Sequence, residues 1–583
     1  MKVLVLGLDG ATWDILDPLI NEGAMPNLAR LRGEGGSGTL RSIFPPLSPV
    51  AWTGVMTGKN SGKHGVFEFL EYGHDPLKSR VNSSRSIKAE LLWEIAGRHG
   101  KKTVAGGVPM SYPPRPAENF PGFFLGDFLS PEKAADFSSD PAILAELEQK
   151  VGPYRPWSTV IHDGGNEAAV IDDLTAMLDQ HLRAIEFLME RCPWDLLIFD
   201  LMATDRLCHE LWHVWDRSHR LARGREVELE ALRARLVEFW KVLDRGVGII
   251  ESKLPPDAAF LLISDHGFGP IEWYVNFNVW LLEQGFIALN DTAYVRQKHW
   301  FYRRGVTPAW MYNVMTRLGL GGHRLSRFRG KQAGIIERLS ESTFLSRRHI
   351  DWSRTRAYAQ GNFGQIFINL KGRQARGCVE LADLRSVRRD IKSGLMELSH
   401  PQTGGPLVEH VYEAEELYHG PHAHLAPDLT VVLNDWRFRT IGLYDFTTNQ
   451  VISPAFGPTG DHRMEGVLIA TGPGFLPGAS PEQANLLDIA PTVLHLLGVP
   501  VPDDMDGRVL TELLDPAVAP SYSVPAAVPS PGPLYRSSLA VLASDAPGGG
   551  YPSALPSSLP ISPAYSDEED AAIQQRLADL GYL

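Results

Sequence analysis

Four apolar runs of strand length in this chain end in a carboxylate, a histidine or a glycine-rich exit: VLVLGLD (3–9), DLLIFDLMATD (195–205), AAFLLISDHG (258–267) and EGVLIATGPG (465–474). Unbroken apolar residues, in place of an alternating pattern, mark strands buried on both faces, as in a parallel sheet. Helix-like segments at 168–190, 225–254 and 484–498 lie between or beyond these runs. A chain of this rhythm is expected to fold as α/β, with a mostly parallel central sheet and helices on both faces. Such sheets bind ligands beyond the carboxyl ends of their strands, and the first run delivers Asp9 to that edge.

At 583 residues the chain exceeds one typical core, which fits a large α/β domain with an insertion or two domains with additions. The formal charge of −13 opposes binding to a nucleic-acid polymer, because an acidic surface repels a phosphate backbone. Small substrates fit better. Cys192, Cys208 and Cys378 are too few and too scattered for a disulfide framework or a thiolate zinc site, and they fit a cytoplasmic location. The amino-terminal apolar run is too short for a secretory leader, and far short of the roughly 20 residues of a membrane span.

Two regions depart from the strand and helix rhythm. From about 290 to 350 the chain turns basic and aromatic, in VRQKHWFYRRG (295–305) and GGHRLSRFRGKQ (321–332), as expected of an inserted cap. Its Trp300, Phe301, Arg303 and Arg304 would suit a stacked base or an anionic tail, or simple packing. Short strand-like runs in 356–370 and 406–434 are expected to return towards the main sheet. Beyond 515 the chain becomes rich in Pro, Ser and Ala, too poor in large apolar residues for a core of its own. The closing SDEEDAAIQQRLADLGYL (566–583) reads as an N-capped acidic helix with an apolar stripe that docks on its own chain or a neighbour's.

Asp9, Asp205, Asp265, His209, His266 and His462 are the stock from which two divalent cations can be held, and Ser48 offers a hydroxyl of the usual nucleophilic kind. Asp205 and His209 stand i, i+4, on one face of a helix, a spacing that suits one ion. In the SDHG that follows LLI, two adjacent charged or imidazole side chains, Asp265 and His266, are costly at the end of an apolar strand unless a cation or partner compensates. Each piece also has a structural reading: an Asp after a strand caps helices, an Asp–His pair can satisfy itself, and PPLSP around Ser48 is good turn chemistry. Cys208 reads as core packing. His213, one turn further, supports the site or merely packs.

Taken together and in order, these residues resemble the alkaline phosphatase superfamily, most closely its type I phosphodiesterase and nucleotide pyrophosphatase branch. The resemblance rests on GLDG (7–10), the frame of Thr57, Gly58, His64 and Gly65, Asp205 with His209, SDHG (264–267), and His462 before a strand ending in TGPGF, and it spans roughly 1–515. It implies one metal held by Asp205, His209 and His462 and a second held by Asp9, Asp265 and His266. Ser48, nine residues before Thr57, is implied as the nucleophile and as a further contact of the second metal. Attack by Ser48 would leave a phosphoseryl or nucleotidyl-seryl intermediate, with the leaving oxygen and the later water at the first metal. The metals implied are zinc, with manganese admitted by the same ligands.

Departures narrow the expectation. The branch commonly carries an Asn three residues after its nucleophile, where this chain has Ala51, so oxyanion donors are sought in the backbone around Pro49 and Val50 or in the cap. The sequence from Ser48 to Trp52 lacks the sulfatase pattern. No Arg lies near Ser48 to clamp a dianionic monoester, which favours a diester or pyrophosphate bond. The expected activity is metal-dependent hydrolysis of phosphodiester or pyrophosphate bonds in a nucleotide-type or other small substrate. Alternatives are a phosphomonoesterase, a phosphomutase or phosphoryl transferase, and a non-catalytic metal-stabilised binding protein. The expected organisation is a catalytic domain of 1–290 with 440–515, a cap with returning strands (291–440), a linker or arm (516–565) and a C-terminal helix (566–583). A homo-oligomer would be built through that arm.

Overall fold

The computed structural model describes residues 1–582 other than 73–74, 76, 116–121, 133, 163, 318–343, 443–445 and 517–563. The central sheet contains β1 (Lys2–Gly7), β2 (Gly36–Arg41), β5 (Thr103–Gly106), β6 (Gly122–Leu125), β7 (Leu196–Asp200), β8 (Ala258–Ile263) and β18 (Glu465–Thr471), in the order β2-β18-β8-β1-β7-β5-β6. Strands β8, β1, β7, β5 and β6 pair in parallel, while β18 runs antiparallel to both β8 and β2. The reversal has a local cause. A short strand at the site edge, β17 (Gly460–Arg463), leads directly into β18, which therefore starts at the carboxyl edge and runs back through the sheet.

Side-chain alternation along β1 feeds two cores. Leu4 and Leu6 join the long helices Glu167–Arg191 and Glu226–Ser252 on one face. Val3 and Val5 join the helices Ser48–Thr57, Leu92–Arg98 and Ile489–Leu496 on the other. A period of two in the strand thus places every second residue in a different core, and both are apolar because both faces are covered.

The strands of 356–370 and 406–434 do not return to this sheet. β11 (Ala357–Ala359), β12 (Gln365–Ile368), β13 (Val408–Glu413) and β14 (Leu429–Leu433) form their own antiparallel sheet, ordered β11-β12-β14-β13. Each is only three to six residues long; β11 pairs with β12, β13 with β14, and the β12–β14 pairing joins the two segments. The helix Leu384–Met396 adds Val387, Ile391 and Leu395 to a separate core with these strands, so their apolar side chains are buried without the main sheet. Beside it stand a three-stranded sheet of β10 (Trp273–Asn276), β15 (Phe438–Ile441) and β16 (Ile452–Pro454), and a pair of β3 (Leu70–Tyr72) with β4 (Ser79–Val81). β9 (Gly267–Pro270) pairs antiparallel with β17, opposing Phe268 to His462.

In the basic, aromatic region the described residues form helices Ala293–Arg303 and Pro308–Arg317; GGHRLSRFRGKQ lies outside the described residues, as does nearly all of the Pro/Ser/Ala-rich stretch. The C-terminal helix Asp567–Asp579 docks on its own chain. Ile573 and Leu577 are fully buried in the core that holds Val3 and Val5, each burial stabilising by about 1.5–3 kcal/mol.

Candidate active site

Three adjacent strands, β8, β1 and β7, deliver the acidic residues. Asp9 lies two residues beyond β1. The next residue, Gly10, has φ +66°, a left-handed turn that glycine adopts without strain, and its N–H donates to Asp265 Oδ1 at 3.2 Å. Asp265 and His266 follow β8. Asp205 sits in the first turn of the helix Ala203–Trp215, which starts just after β7, and His209 is one turn along. His462 comes from β17, and Ser48 is the first residue of the helix Ser48–Thr57.

The fold brings all seven together. Ser48 Oγ lies 3.5 Å from His266 Nε2, which is itself 3.4 Å from Asp9 Oδ1 and 3.4 Å from Asp265 Oδ2. Asp205 Oδ1 is 3.5 Å from His209 Nε2 and 3.4 Å from His462 Nε2, and the two imidazole nitrogens are 2.9 Å apart. The two clusters adjoin: His266 Nε2 is 3.9 Å from Asp205 Oδ1. None of the seven is more than 1% exposed.

Two features of this centre fit bound cations. Asp9 Oδ1, Asp205 Oδ1 and Asp265 Oδ2 are buried and accept no hydrogen bond, although each lies at the convergence point. The Nδ1 atoms of His209, His266 and His462 face the carbonyls of Gly460 (3.0 Å), Gly267 (3.1 Å) and Pro46 (2.6 Å). With Nδ1–H donating to those carbonyls, each Nε2 presents a lone pair inward, the arrangement that orients imidazoles as ligands. Ligand atoms of Asp9, Asp265 and His266 lie within 4.8 Å of one another, as do those of Asp205, His266 and His462 and those of His209, Asp461 and His462.

Charge among the protein groups of this centre is strained in the same sense. Burial, reinforced by Asp265, Asp200 and Asp205, raises Asp9 well above the usual carboxylate range. Asp200 is raised likewise by burial and Asp265, and burial pushes Asp265 up to about 7. Burial would also raise Asp205, but His209, His462 and His266 hold it well below its ordinary value. His209 falls to about 4 through burial, and burial, with His462 beside it, also holds His266 well below its ordinary value. Positive charge supplied from outside is what such a set of carboxylates lacks.

Several neighbours were not singled out by sequence. Asp461 sits beside His462 in GDHR, yet adjacent strand residues ordinarily face apart. It is buried and lies 3.4 Å from Arg439 Nε. Asp200 closes β7 with both carboxylate oxygens unpartnered, and Trp52 Nε1 donates to Asp9 Oδ2 at 3.2 Å. Tyr582 donates its hydroxyl to Asp205 Oδ2 from 377 residues away, a contact for which the sequence carries no spacing signal. His213 faces Thr459 Oγ1 (3.2 Å) and Glu167 Oε1 (3.8 Å), and Cys208 is buried in a core.

The backbone after Ser48 does not supply the missing oxyanion donor. Pro49 has no N–H, and the amides of Val50 and Ala51 both donate to the Leu47 carbonyl, at 2.9 and 2.8 Å, because the helix has already begun. A guanidinium does come close through the fold. Arg439 and Asn362 share with Asp461 and His462 the wall of a cavity of about 30 Å³. Trp300 and Phe301 are half exposed on their own helix, with the Arg304 guanidinium 3.5 Å over the Trp300 ring.

The α/β sheet thus carries this centre at the carboxyl edges of its strands. The sequence profile described as type I phosphodiesterase / nucleotide pyrophosphatase matches residues 3–445, and the chain belongs to that family. It is a phosphoric ester hydrolase. No curated protein matches it by sequence. Among solved structures it is similar to phosphonoacetate hydrolase from Sinorhizobium meliloti 1021 in complex with phosphonoacetate (14% identity, 86% of this chain and 95% of that one, TM-score 0.50). It is also similar to human ectonucleotide pyrophosphatase / phosphodiesterase 5 (14% identity, 88% of this chain and 100% of that one, TM-score 0.47).

Proposed function

We propose that this protein hydrolyses phosphodiester or pyrophosphate bonds of a small substrate through a phosphoseryl intermediate on Ser48, at a centre of two divalent cations, zinc or manganese. The observation that carries this reading is the convergence of three inward-facing Nε2 atoms and three unpartnered carboxylate oxygens beside the Ser48 hydroxyl. Asp9, Asp265 and His266 would hold one cation next to Ser48, and Asp205, His209 and His462 the other. When bound, the cations supply Lewis-acid charge that lowers the serine hydroxyl's pKa and neutralises the phosphoryl and leaving oxygens. Ser48 Oγ forms a bond to phosphorus as the bond to the leaving oxygen breaks. Water then attacks the same phosphorus and frees Ser48. The start of the helix beneath it keeps Oγ fixed, and Trp52 orients Asp9 from the same helix.

A second reading, phosphomonoester hydrolysis or phosphoryl transfer, is favoured by Arg439, which stands in the cavity beside His462 where it would reach a dianionic phosphate. Three free cysteines support a cytoplasmic location, and among the described residues no helix is long and apolar enough to cross a membrane. Exchange of the C-terminal arm between copies would add a homo-oligomer, read by the protein's mass in solution.

The deciding experiment compares bis-p-nitrophenyl phosphate with p-nitrophenyl phosphate as substrates of wild type and Ser48→Ala, stripped by chelator and reloaded with zinc or manganese. The expected result is metal-dependent preference for the diester, reduced about 10³-fold or more in the variant. Preference for the monoester would favour the second reading. Full activity in Ser48→Ala would remove the serine intermediate.

A further inference from the structure

The last residues of the described chain reach the centre of the molecule. The helix Asp567–Asp579 starts with a capping box, in which Glu569 N–H donates to Ser566 Oγ and Ser566 N–H donates to Glu569 Oε2. It ends in a Schellman turn: Tyr582 N–H donates to the Leu577 carbonyl at 2.9 Å and Gly581 N–H to the Ala578 carbonyl at 3.1 Å, with Gly581 at φ +84°. This turn throws Tyr582 out of the helix and into the site. There its hydroxyl donates to Asp205 Oδ2, and its ring meets the His209 ring edge-on at 5.3 Å and 88°.

Three buried donors fix the segment. Arg206, the neighbour of Asp205, donates to the Leu580 carbonyl at 2.6 Å; Arg439 donates to the Gly581 carbonyl at 3.3 Å; Asn362 donates to the Tyr582 carbonyl at 3.0 Å. These polar side chains come from three distant parts of the chain and converge on three successive carbonyls. Ordinary apolar docking, already supplied by Ile573 and Leu577, does not require them.

We propose that Tyr582 is a positioning residue of the metal centre, and that the C-terminal segment is thereby a working part of the active site. Its hydroxyl holds Asp205 Oδ2, so that Oδ1, the oxygen facing His209 and His462, is the one turned to the cation. This rests on the reading of Asp205, His209 and His462 as one cation's ligands. A hydrogen-bond partner of a ligating carboxylate typically controls metal affinity by 10- to 100-fold.

The test uses full-length, metal-free Tyr582→Phe, which keeps the ring packing against His209, Phe69 and Phe128 and removes only the hydroxyl. Zinc and manganese affinities are measured by competition with a chromogenic chelator, beside the melting temperature of the metal-free protein. The expected result is about tenfold weaker binding at one of two sites, with the other site and the metal-free melting temperature unchanged. Unchanged affinity at both sites would overturn the proposal. Equal weakening of both sites with a lower metal-free melting temperature would overturn it too, leaving the tail a structural strap. If Tyr582→Phe proves unstable, Asn362→Ala, which loosens the same terminal turn without altering a ligand, is read in the same way. Because binding is measured without turnover, failure of the diester assay would refute the hydrolytic reading while leaving this result intact.

Discussion

Asp9 carries the conflict among the buried carboxylates most clearly. Its carboxyl is raised by burial and then by Asp265, Asp200 and Asp205. Its folded value lies above its unfolded one, so in metal-free protein its contribution is fully present below about pH 4 and is lost as pH rises through the folded value. Above the unfolded value the carboxyl must either stay ionised in a buried site or take up a proton on folding, a cost that a neutral isostere avoids. Asp9→Asn is therefore expected to melt about 2 °C higher than wild type in chelator, to gain little from added zinc or manganese, and to lose about 10²-fold or more in turnover. Melting curves with and without metal check the first two and a diester assay the third. A metal-free Asp9→Asn that melts lower than wild type would show that repulsion is not the governing term. Asp9 was legible because it ends an apolar run; Asp200 ends one too, but a single carboxylate without a partner motif gives no reason to choose it.

At the scale of elements, two local devices hold the site's supports. The Schellman turn at Gly581 requires φ +84°, and a Cβ there would stand 2.7 Å from Pro458 Cγ. Gly581→Ala is expected to cost about 1–2 kcal/mol in unfolding free energy by denaturant titration, with Tyr582 displaced. The second device is Asp506, which accepts from the Asn60 backbone (2.8 Å) and side chain (2.9 Å), from Lys63 (2.5 Å) and from His419 (3.0 Å), tying its loop to the helix Ser61–His64. Burial would raise its carboxyl, but His419, Lys63 and Asn60 hold it well below the usual range. A depressed folded value means stability present above about pH 4 and lost as pH falls through the folded value. Asp506→Asn should cost about 2 kcal/mol at pH 7, and the gap from wild type should close as pH falls below 4, in parallel denaturant titrations. A gap independent of pH would assign the loss to geometry.

For the whole molecule, the centre is a tie between segments around residues 9, 48, 205, 265 and 462. Ligand binding to the folded state alone stabilises by about 2.7 kcal/mol per site at a hundredfold excess over Kd, so chelation should lower the melting temperature and re-added zinc or manganese should restore it. A melting temperature indifferent to chelator would argue against resident cations. The sequence by itself determined the sheet, its long flanking helices and the order of the motifs that carry the candidate ligands, because apolar runs, helical periodicity and strand-end polar residues are local signals. Only the tertiary structure decided that 356–370 and 406–434 build a sheet of their own, since strand partners are chosen by packing that no single strand records. Only it brought Arg439 to the wall beside His462 and Tyr582 to Asp205. The second contact joins residues 377 positions apart, and the geometry of both exists only once the cores on both faces of the sheet have formed.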